Sequence, residues 1–333
     1  MPHPNAATVL GYSAQFMAAL DRQDTAAMNR LVRAYNESYK RIEADLNRLI
    51  IALGDKTPSR GQLVRMSQYQ SMLEQITREL RDLEGLTRVI TGEVATNAIG
   101  LGNANAARLI AATLTGETEI YTRFMKIPNA AIRQMLGFLD PTGPLFAAIA
   151  KMSPYYVTAI SDALIDGIIR GIGPRQTAAL LVRDFGMVLT DALRTVRTAQ
   201  IWSYREASRA NYNANADVVQ GWVWFAELDR DVCMSCAVMH GTVHPLSEPL
   251  EDHYNGRCDA LPLTPLGNPV TQSGEDWFSQ LPESQQRAMM GPGKFSAWKD
   301  GKFDFGALST TRQDSTYGQM RTETPLKELI PDE

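Results

Sequence analysis

The chain contains little cysteine and little histidine: its 333 residues include three cysteines and four histidines. Three cysteines cannot all pair with one another in one chain, which excludes the disulfide framework that stabilises small secreted domains. The first residues lack the basic-then-apolar order of a signal peptide, and no uninterrupted apolar run of about 18 residues occurs. We therefore expect a soluble protein that is made inside a cell, resides in a reducing compartment and lacks a membrane span.

The chain also lacks an excess of basic residues. Its net charge is −4 and its pI is ≈ 5.7, which excludes a protein that coats nucleic acid through overall positive charge. A local basic patch remains compatible with these values. The length suffices for two domains with hydrophobic cores of their own.

The scarce cysteines and histidines are concentrated in one short window, 233–258. It holds all three cysteines and three of the four histidines, namely Cys233, Cys236, His240, His244, His253 and Cys258. Thiolate and imidazole are the usual ligands of zinc, and the two-residue gap of a Cys-x-x-Cys pair lets both sulfurs reach one ion. We predict a zinc site formed by Cys233, Cys236, His253 and Cys258, with His240 and His244 as alternates.

Other interpretations of this window remain open. The residues could be buried or hydrogen-bonded side chains of a compact, loop-rich domain, or the Cys-x-x-Cys pair could be a redox dithiol. The pair Asp252-His253 resembles the first pair of catalytic residues of an HNH-type nuclease. No histidine follows His253 to complete that site. A cysteine–histidine nucleophile is a further alternative, although no local signature supports it.

The composition changes near residue 200. All five tryptophans and all three cysteines lie beyond it, where short strands, turns and loops are predicted, whereas helical patterns dominate before it. We predict a mainly α-helical part, 1–185, followed by a small α+β domain, 186–333, which has short strands and contains the Cys/His cluster at 233–258.

Apolar residues recur at steps of three and four in the first part. They predict a long helical hairpin over 24–84, with Asp24 as the N-cap of its first helix and Gly54 as the C-cap. Shorter, buried helices are predicted over 86–185. The glycine-containing segment 100–106 is interpreted as a helix break. The hairpin is expected to form a bundle core or, alternatively, an oligomerisation or docking surface.

A further long helix is predicted from a cap at Thr190 to about residue 215. It carries four arginines, Arg194, Arg197, Arg205 and Arg209, which could contact DNA phosphates or acidic partners, or could form a solvated face. Strands are predicted at 218–229, with both faces covered, and at 257–263. Asp229 or Asp231 is expected to cap the Cys-x-x-Cys segment.

The order of motifs resembles the head morphogenesis (minor capsid) proteins of tailed phages, the phage Mu F-like family. The matching features are Arg197-Thr198, Trp222 or Trp224, Asp229 or Asp231, Cys233 and Cys236, His240-Gly241, and His253 with Arg257-Cys258 before Pro262. The resemblance covers about 190–330. The chain departs from the family pattern at Tyr254, where proline is usual, at Gly256, where many members have another cysteine, and at Ala199, where an acidic residue is frequent.

The resemblance implies a minor virion protein that acts in procapsid assembly and is associated with the portal protein, other capsid proteins and packaged DNA. Such a protein is made in the host bacterial cytoplasm and then lies in the capsid interior, where it could oligomerise. It implies a structural role without catalytic residues. The alternative is a zinc-dependent nuclease or a transferase-type effector that uses the Cys/His cluster.

Overall fold

The structure, a computed structural model, describes residues 3–53, 58–116, 121–170 and 174–330. The helices before the first strand are α1 Ala6–Leu53, α2 Arg60–Val64, α3 Ser67–Thr115, α4 Asn129–Phe138, α5 Pro144–Ala150, α6 Met152–Ile169 and α7 Pro174–Ala214. The strands are β1 Gly221–Phe225, β2 Val243–His244, β3 Asp259–Leu263, β4 Ser309–Asp314 and β5 Gly318–Glu323. The remaining helices are α8 Met234–Met239, α9 Gly274–Ser279, α10 Glu283–Met290, α11 Pro292–Lys299 and α12 Leu326–Leu329, with short 3-10 helices at Tyr121–Phe124 and Phe305–Leu308.

One compact unit comprises Arg22–Val94 and Phe138–Ala199 and is entirely helical in its described part. Within it α1 and α3 run antiparallel, because Ser38 donates to Glu79 at 2.6 Å while Arg30 pairs with Glu93 at 2.5 Å. Apolar side chains spaced by three or four residues face inward, where they bury surface at about 25 cal/mol per Å². They include Leu31, Ile42, Leu46, Ile76, Leu80, Ile160 and Val196.

The other unit comprises Met1–Asp21, Ala95–Gly137 and Gln200–Glu333 and contains all the described strands. Its three-stranded antiparallel sheet has the order β2-β1-β3, with Val223 of β1 opposite both Leu261 and Val243. On one face Val223 packs with Val9 of α1, and on the other Trp222 packs with the Cys/His region. Both faces of β1 are covered, as its nearly continuous apolar sequence predicted.

A helical part followed by a small α+β region with a Cys/His cluster confirms the predicted fold class. The strands at 218–229 and 257–263 are confirmed but shorter than predicted. The boundary at 185/186 stays a prediction, and Gly54 lies outside the described residues. None of the helices in the described ranges has the length and apolar character that a membrane span requires.

Two predicted helix starts are wrong. Asp24 is not an N-cap, because α1 begins at Ala6 and continues through it; its buried carboxylate pairs with Arg197 at 2.5 Å. Thr190 does not begin a helix either, since α7 starts at Pro174. The Thr190 hydroxyl donates to the carbonyl of Gly186 at 2.8 Å, the i−4 bond typical of a helix interior.

The predicted helix break at 100–106 is also wrong, because α3 is continuous to Thr115. For the same reason the prediction of short helices is wrong up to Thr115, whereas α4, α5 and α6 are shorter helices as predicted. A Cβ atom at Gly102 would lie 2.2 Å from the carbonyl oxygen of Tyr204 on α7. This glycine therefore allows two helices of the same unit to approach closely, and the packing compensates for its low helix propensity.

Candidate metal centre

The two sulfurs of the Cys-x-x-Cys pair are positioned by the start of α8. Cys233 is the N-cap residue, and its Sγ accepts a hydrogen bond from the backbone N–H of Cys236 at 3.3 Å. The expected cap by Asp229 or Asp231 is wrong, because Cys233 occupies the cap position and Asp229 accepts two hydrogen bonds from the guanidinium of Arg257, each at 2.8 Å. The N-cap geometry turns both thiols to the same side of the helix.

His253 completes a first group of metal-ligand atoms. Its Nε2 lies 3.2 Å from the Sγ of Cys233 and 3.2 Å from the Sγ of Cys236, and the three atoms all lie within 4.8 Å of one another. Its Nδ1 is 2.8 Å from the carbonyl oxygen of Tyr254. If Nδ1 carries the proton and donates it there, Nε2 is free to bind a metal, which is the usual arrangement of a metal-binding histidine.

Cys258 belongs to a second group, formed with Cys236 and Asp252. The Asp252 side chain is completely buried, and its Oδ2 accepts from Nη2 of Arg205 at 2.8 Å. Its Oδ1 accepts from the backbone N–H of His253 at 2.8 Å. Nε of Arg205 also donates to the carbonyl of Cys258 at 3.0 Å. Helix α7 therefore holds this loop through one buried arginine.

The metal-free cluster favours a charged pair. The hydrogen bond with Cys236 and the contact with His253 outweigh burial and lower the pKa of Cys233 to about 5. Burial acts to lower the pKa of His253, but the hydrogen bond to Cys233 and the Asp252 charge raise it to about 9. Hydrogen bonds with Cys233 and Cys258 raise the pKa of Cys236. One thiolate is therefore available near neutral pH, and the thiolate is the form that binds metal.

The distances suit a tetrahedral ion. Metal bonds of about 2.0–2.3 Å place neighbouring ligand atoms about 3.3–3.8 Å apart. The two contacts of 3.2 Å between sulfur and Nε2 are close to that range. Cys236 and Cys258 are buried, whereas Cys233 is only partly buried. An ion can therefore reach the cluster from the side of Cys233. The cluster could therefore hold a thiophilic divalent ion.

The two alternate histidines have other partners. His240 is buried, and its Nδ1 accepts from the backbone N–H of Ala226 at 3.1 Å; burial lowers its pKa. His244 stacks on Trp222 with ring centroids 4.3 Å apart, and its Nδ1 lies 3.0 Å from a carboxylate oxygen of Glu248. Neither belongs to the two metal-ligand groups found among the described residues.

The four arginines of α7 that were predicted as possible contacts all have carboxylate partners. The pairs are Arg194–Asp191 at 2.8 Å, Arg197–Asp24 at 2.5 Å, Arg205–Asp252 at 2.8 Å and Arg209–Glu206 at 2.7 Å. Arg194 has the most exposed side chain of the four, at 46%. Arg205 and Asp252 are the residues of the centre that sequence reasoning missed, although Asp252 directly precedes a predicted ligand.

Residues 158–261 match the family model described as phage Mu protein F like protein. This segment is similar to the phage Mu F-like family. The match covers most of α6 and the whole of α7, β1, α8 and β2, and it ends inside β3. No curated protein and no solved structure matches the chain.

The phage Mu F-like segment contains the whole Cys/His cluster together with Arg205 and Asp252. It begins nearer the amino end than the resemblance in motifs indicated, and it stops before the C-terminal hairpin of β4 and β5. The family confirms the predicted recognition and points to phage head morphogenesis, consistent with a structural role.

Proposed function

We propose that this chain is a minor capsid protein of a tailed phage that acts in procapsid assembly and lies inside the capsid, in contact with the portal protein. The observation that carries the proposal is the match of residues 158–261 to the phage Mu F-like family. Long helices packed as a bundle, followed by a small α+β region, suit a protein that docks on other proteins.

Co-expression with the portal and major capsid proteins of the same phage tests this proposal. We expect the chain to co-sediment with procapsids, and to do so less when the portal protein is omitted. Its absence from both procapsids and virions would overturn the proposal. Particles assembled without this chain are the control that shows what portal and capsid protein form alone.

The proposal includes zinc as a structural ion in the Cys/His centre. Thiolate and imidazole ligands favour zinc over the hard ions magnesium and calcium, and such closed sites stabilise small folds. The first ligand group lies on two separate pieces of chain, the start of α8 with Cys233 and Cys236 and the loop that contains His253. Zinc would therefore act as a cross-link in a region that has no disulfide among its described cysteines.

Contact with packaged DNA is proposed as a weak, local interaction. A chain of net charge −4 offers no general attraction to phosphate, so the contact would weaken steeply with salt. Arg194 is the best-placed arginine of the four because it is the most exposed. The charge reversal Arg194→Glu should reduce DNA binding at low salt; unchanged binding would exclude this position as a contact.

A further inference from the structure

The carboxylate of Asp252 lies beside the atoms of the first ligand group. Its Oδ1 is 3.4 Å from the Sγ of Cys236 and 3.5 Å from the Nε2 of His253. Both values fall within the about 3.3–3.8 Å that separates neighbouring ligands around a tetrahedral zinc ion. The distances from Oδ1 to these two ligand atoms are therefore those expected of a fourth ligand.

The hydrogen bonds of Asp252 leave this oxygen available for an ion. Oδ2 is held by Arg205 at 2.8 Å and by the backbone N–H of Cys258 at 3.4 Å. Oδ1 accepts the backbone N–H of His253, and its other hydrogen-bonding contact is the thiol of Cys236. A carboxylate oxygen has two lone pairs, so the hydrogen bond from His253 leaves Oδ1 a second lone pair for an ion.

Cys258 is buried in the apolar cluster that contains Trp224 and Ala260, and Cys236 belongs to the same cluster. The backbone N–H and carbonyl of Cys258 contact Asp252 and Arg205 respectively, so the residue supports the carboxylate through its main chain. Of the two residues that share the second group with Cys236, Asp252 has an oxygen within 3.5 Å of both Cys236 Sγ and His253 Nε2.

We propose that Asp252, through Oδ1, is the fourth ligand of the centre, so that the ion is held by two sulfurs, one imidazole nitrogen and one carboxylate oxygen. The inference rests on the zinc site proposed above. In this arrangement Arg205 neutralises the carboxylate through Oδ2, and Cys258 remains a buried thiol. The sequence-based ligand set would then change at one position, with Asp252 in place of Cys258.

Zinc K-edge X-ray absorption on the full-length chain, loaded with one equivalent of Zn²⁺, tests this assignment directly. We expect a shell of two sulfur and two nitrogen or oxygen scatterers. A shell of three sulfurs and one nitrogen would overturn the role of Asp252 but leave the zinc site standing. Failure of the folded chain to bind Zn²⁺ would overturn both.

Substitutions provide an independent measurement by competition titration with a zinc chelator. Asp252→Asn should weaken zinc binding by at least about 10–100-fold, the loss seen even for outer partners of metal ligands. Cys258→Ala should bind zinc about as tightly as the unchanged chain. Asp229→Asn is the matched control, because Asp229 also pairs with an arginine but lies outside both ligand groups. A loss for Cys258→Ala as large as for Cys233→Ala would contradict the assignment.

Discussion

A Cβ atom at Gly256 would lie 1.9 Å from Oδ2 of Asp252. Any side chain at position 256 therefore collides with a carboxylate that Arg205 holds in place at 2.8 Å. The absence of a side chain at Gly256 therefore allows the Asp252 carboxylate to lie this close to the loop.

Gly256→Ala tests this steric relationship. Because Asp252 cannot move without losing its buried ion pair, we expect the free energy of unfolding to fall by about 1–3 kcal/mol, the usual cost of overpacking. The control is Gly306→Ala, since a Cβ at Gly306 would meet no atom within 4 Å. Urea denaturation of both variants gives the comparison, and equal stability of the two would refute the steric relationship.

Arg205→Ala should be the most destabilising of the arginine substitutions in α7. The side chains of Arg205 and Asp252 are only 9% and 0% exposed, so the substitution leaves a buried charge unpaired. We expect a loss of about 3–5 kcal/mol in metal-free buffer.

Arg209→Ala is the matched control for this substitution. Its partner Glu206 lies three residues earlier in the same helix. The Arg209 side chain is more exposed than that of Arg205, at 27%. A loss of about 0–1 kcal/mol is expected there. Similar denaturation midpoints for the two variants would show that Arg205 does not hold the loop.

Asp259→Asn should change how stability depends on pH. Burial raises the pKa of Asp259, which accepts a hydrogen bond from Ser13 at 2.7 Å. Because the pKa is raised in the folded state, protonation of this carboxyl stabilises the fold. That stabilisation is fully present below about pH 3.9, the ordinary pKa, and is lost as the pH rises through the raised pKa. The asparagine variant avoids this loss.

We therefore expect the stability difference between Asp259→Asn and the unchanged chain to grow in favour of the variant from acid to neutral pH. Denaturation midpoints measured between pH 4 and 7 give this trend. Asp229→Asn is the control, because the hydrogen bonds from Arg257 lower the pKa of Asp229. Its contribution is already fully present above about pH 3.9, so its stability difference should stay constant between pH 4 and 7. A difference that shrinks with rising pH for Asp259→Asn would count against the buried, protonated carboxyl.

His240→Ala separates a structural histidine from a metal ligand. The substitution leaves the backbone N–H of Ala226 buried without its acceptor, so we expect a loss of about 1–3 kcal/mol in stability. The zinc content should not change. His253→Ala, in contrast, should lose zinc binding. Loss of zinc in His240→Ala with the fold intact would place His240 in the coordination shell instead.

Much of the centre was predictable because its signals are local. The spacing of Cys233 and Cys236 reports a shared site without any tertiary information, and the apolar run of β1 reports a strand covered on both faces. Asp252 and Arg205 gave no such signal. They are 47 residues apart in the sequence, and nothing in the helical pattern of α7 shows which arginine meets a buried carboxylate.

The wrongly predicted helix boundaries also result from contacts between residues that are far apart in the sequence. Asp24 has the residue type of an N-cap, yet a partner far along the chain, Arg197, neutralises it inside a helix. Gly102 has the residue type of a helix break, yet the close approach of Tyr204 requires it. Local propensity is overridden in both cases by packing between segments that are distant in sequence.

The central claim is that the Cys/His centre holds zinc, and the zinc content of the purified full-length chain tests it most directly. Elemental mass spectrometry should find about one zinc per chain, and Cys233→Ser should retain less than about one tenth of that amount. The unchanged chain should also lose thermal stability with a chelator, because a structural ion contributes to folding. A folded, stable chain that contains no zinc and does not respond to the chelator would contradict the claim.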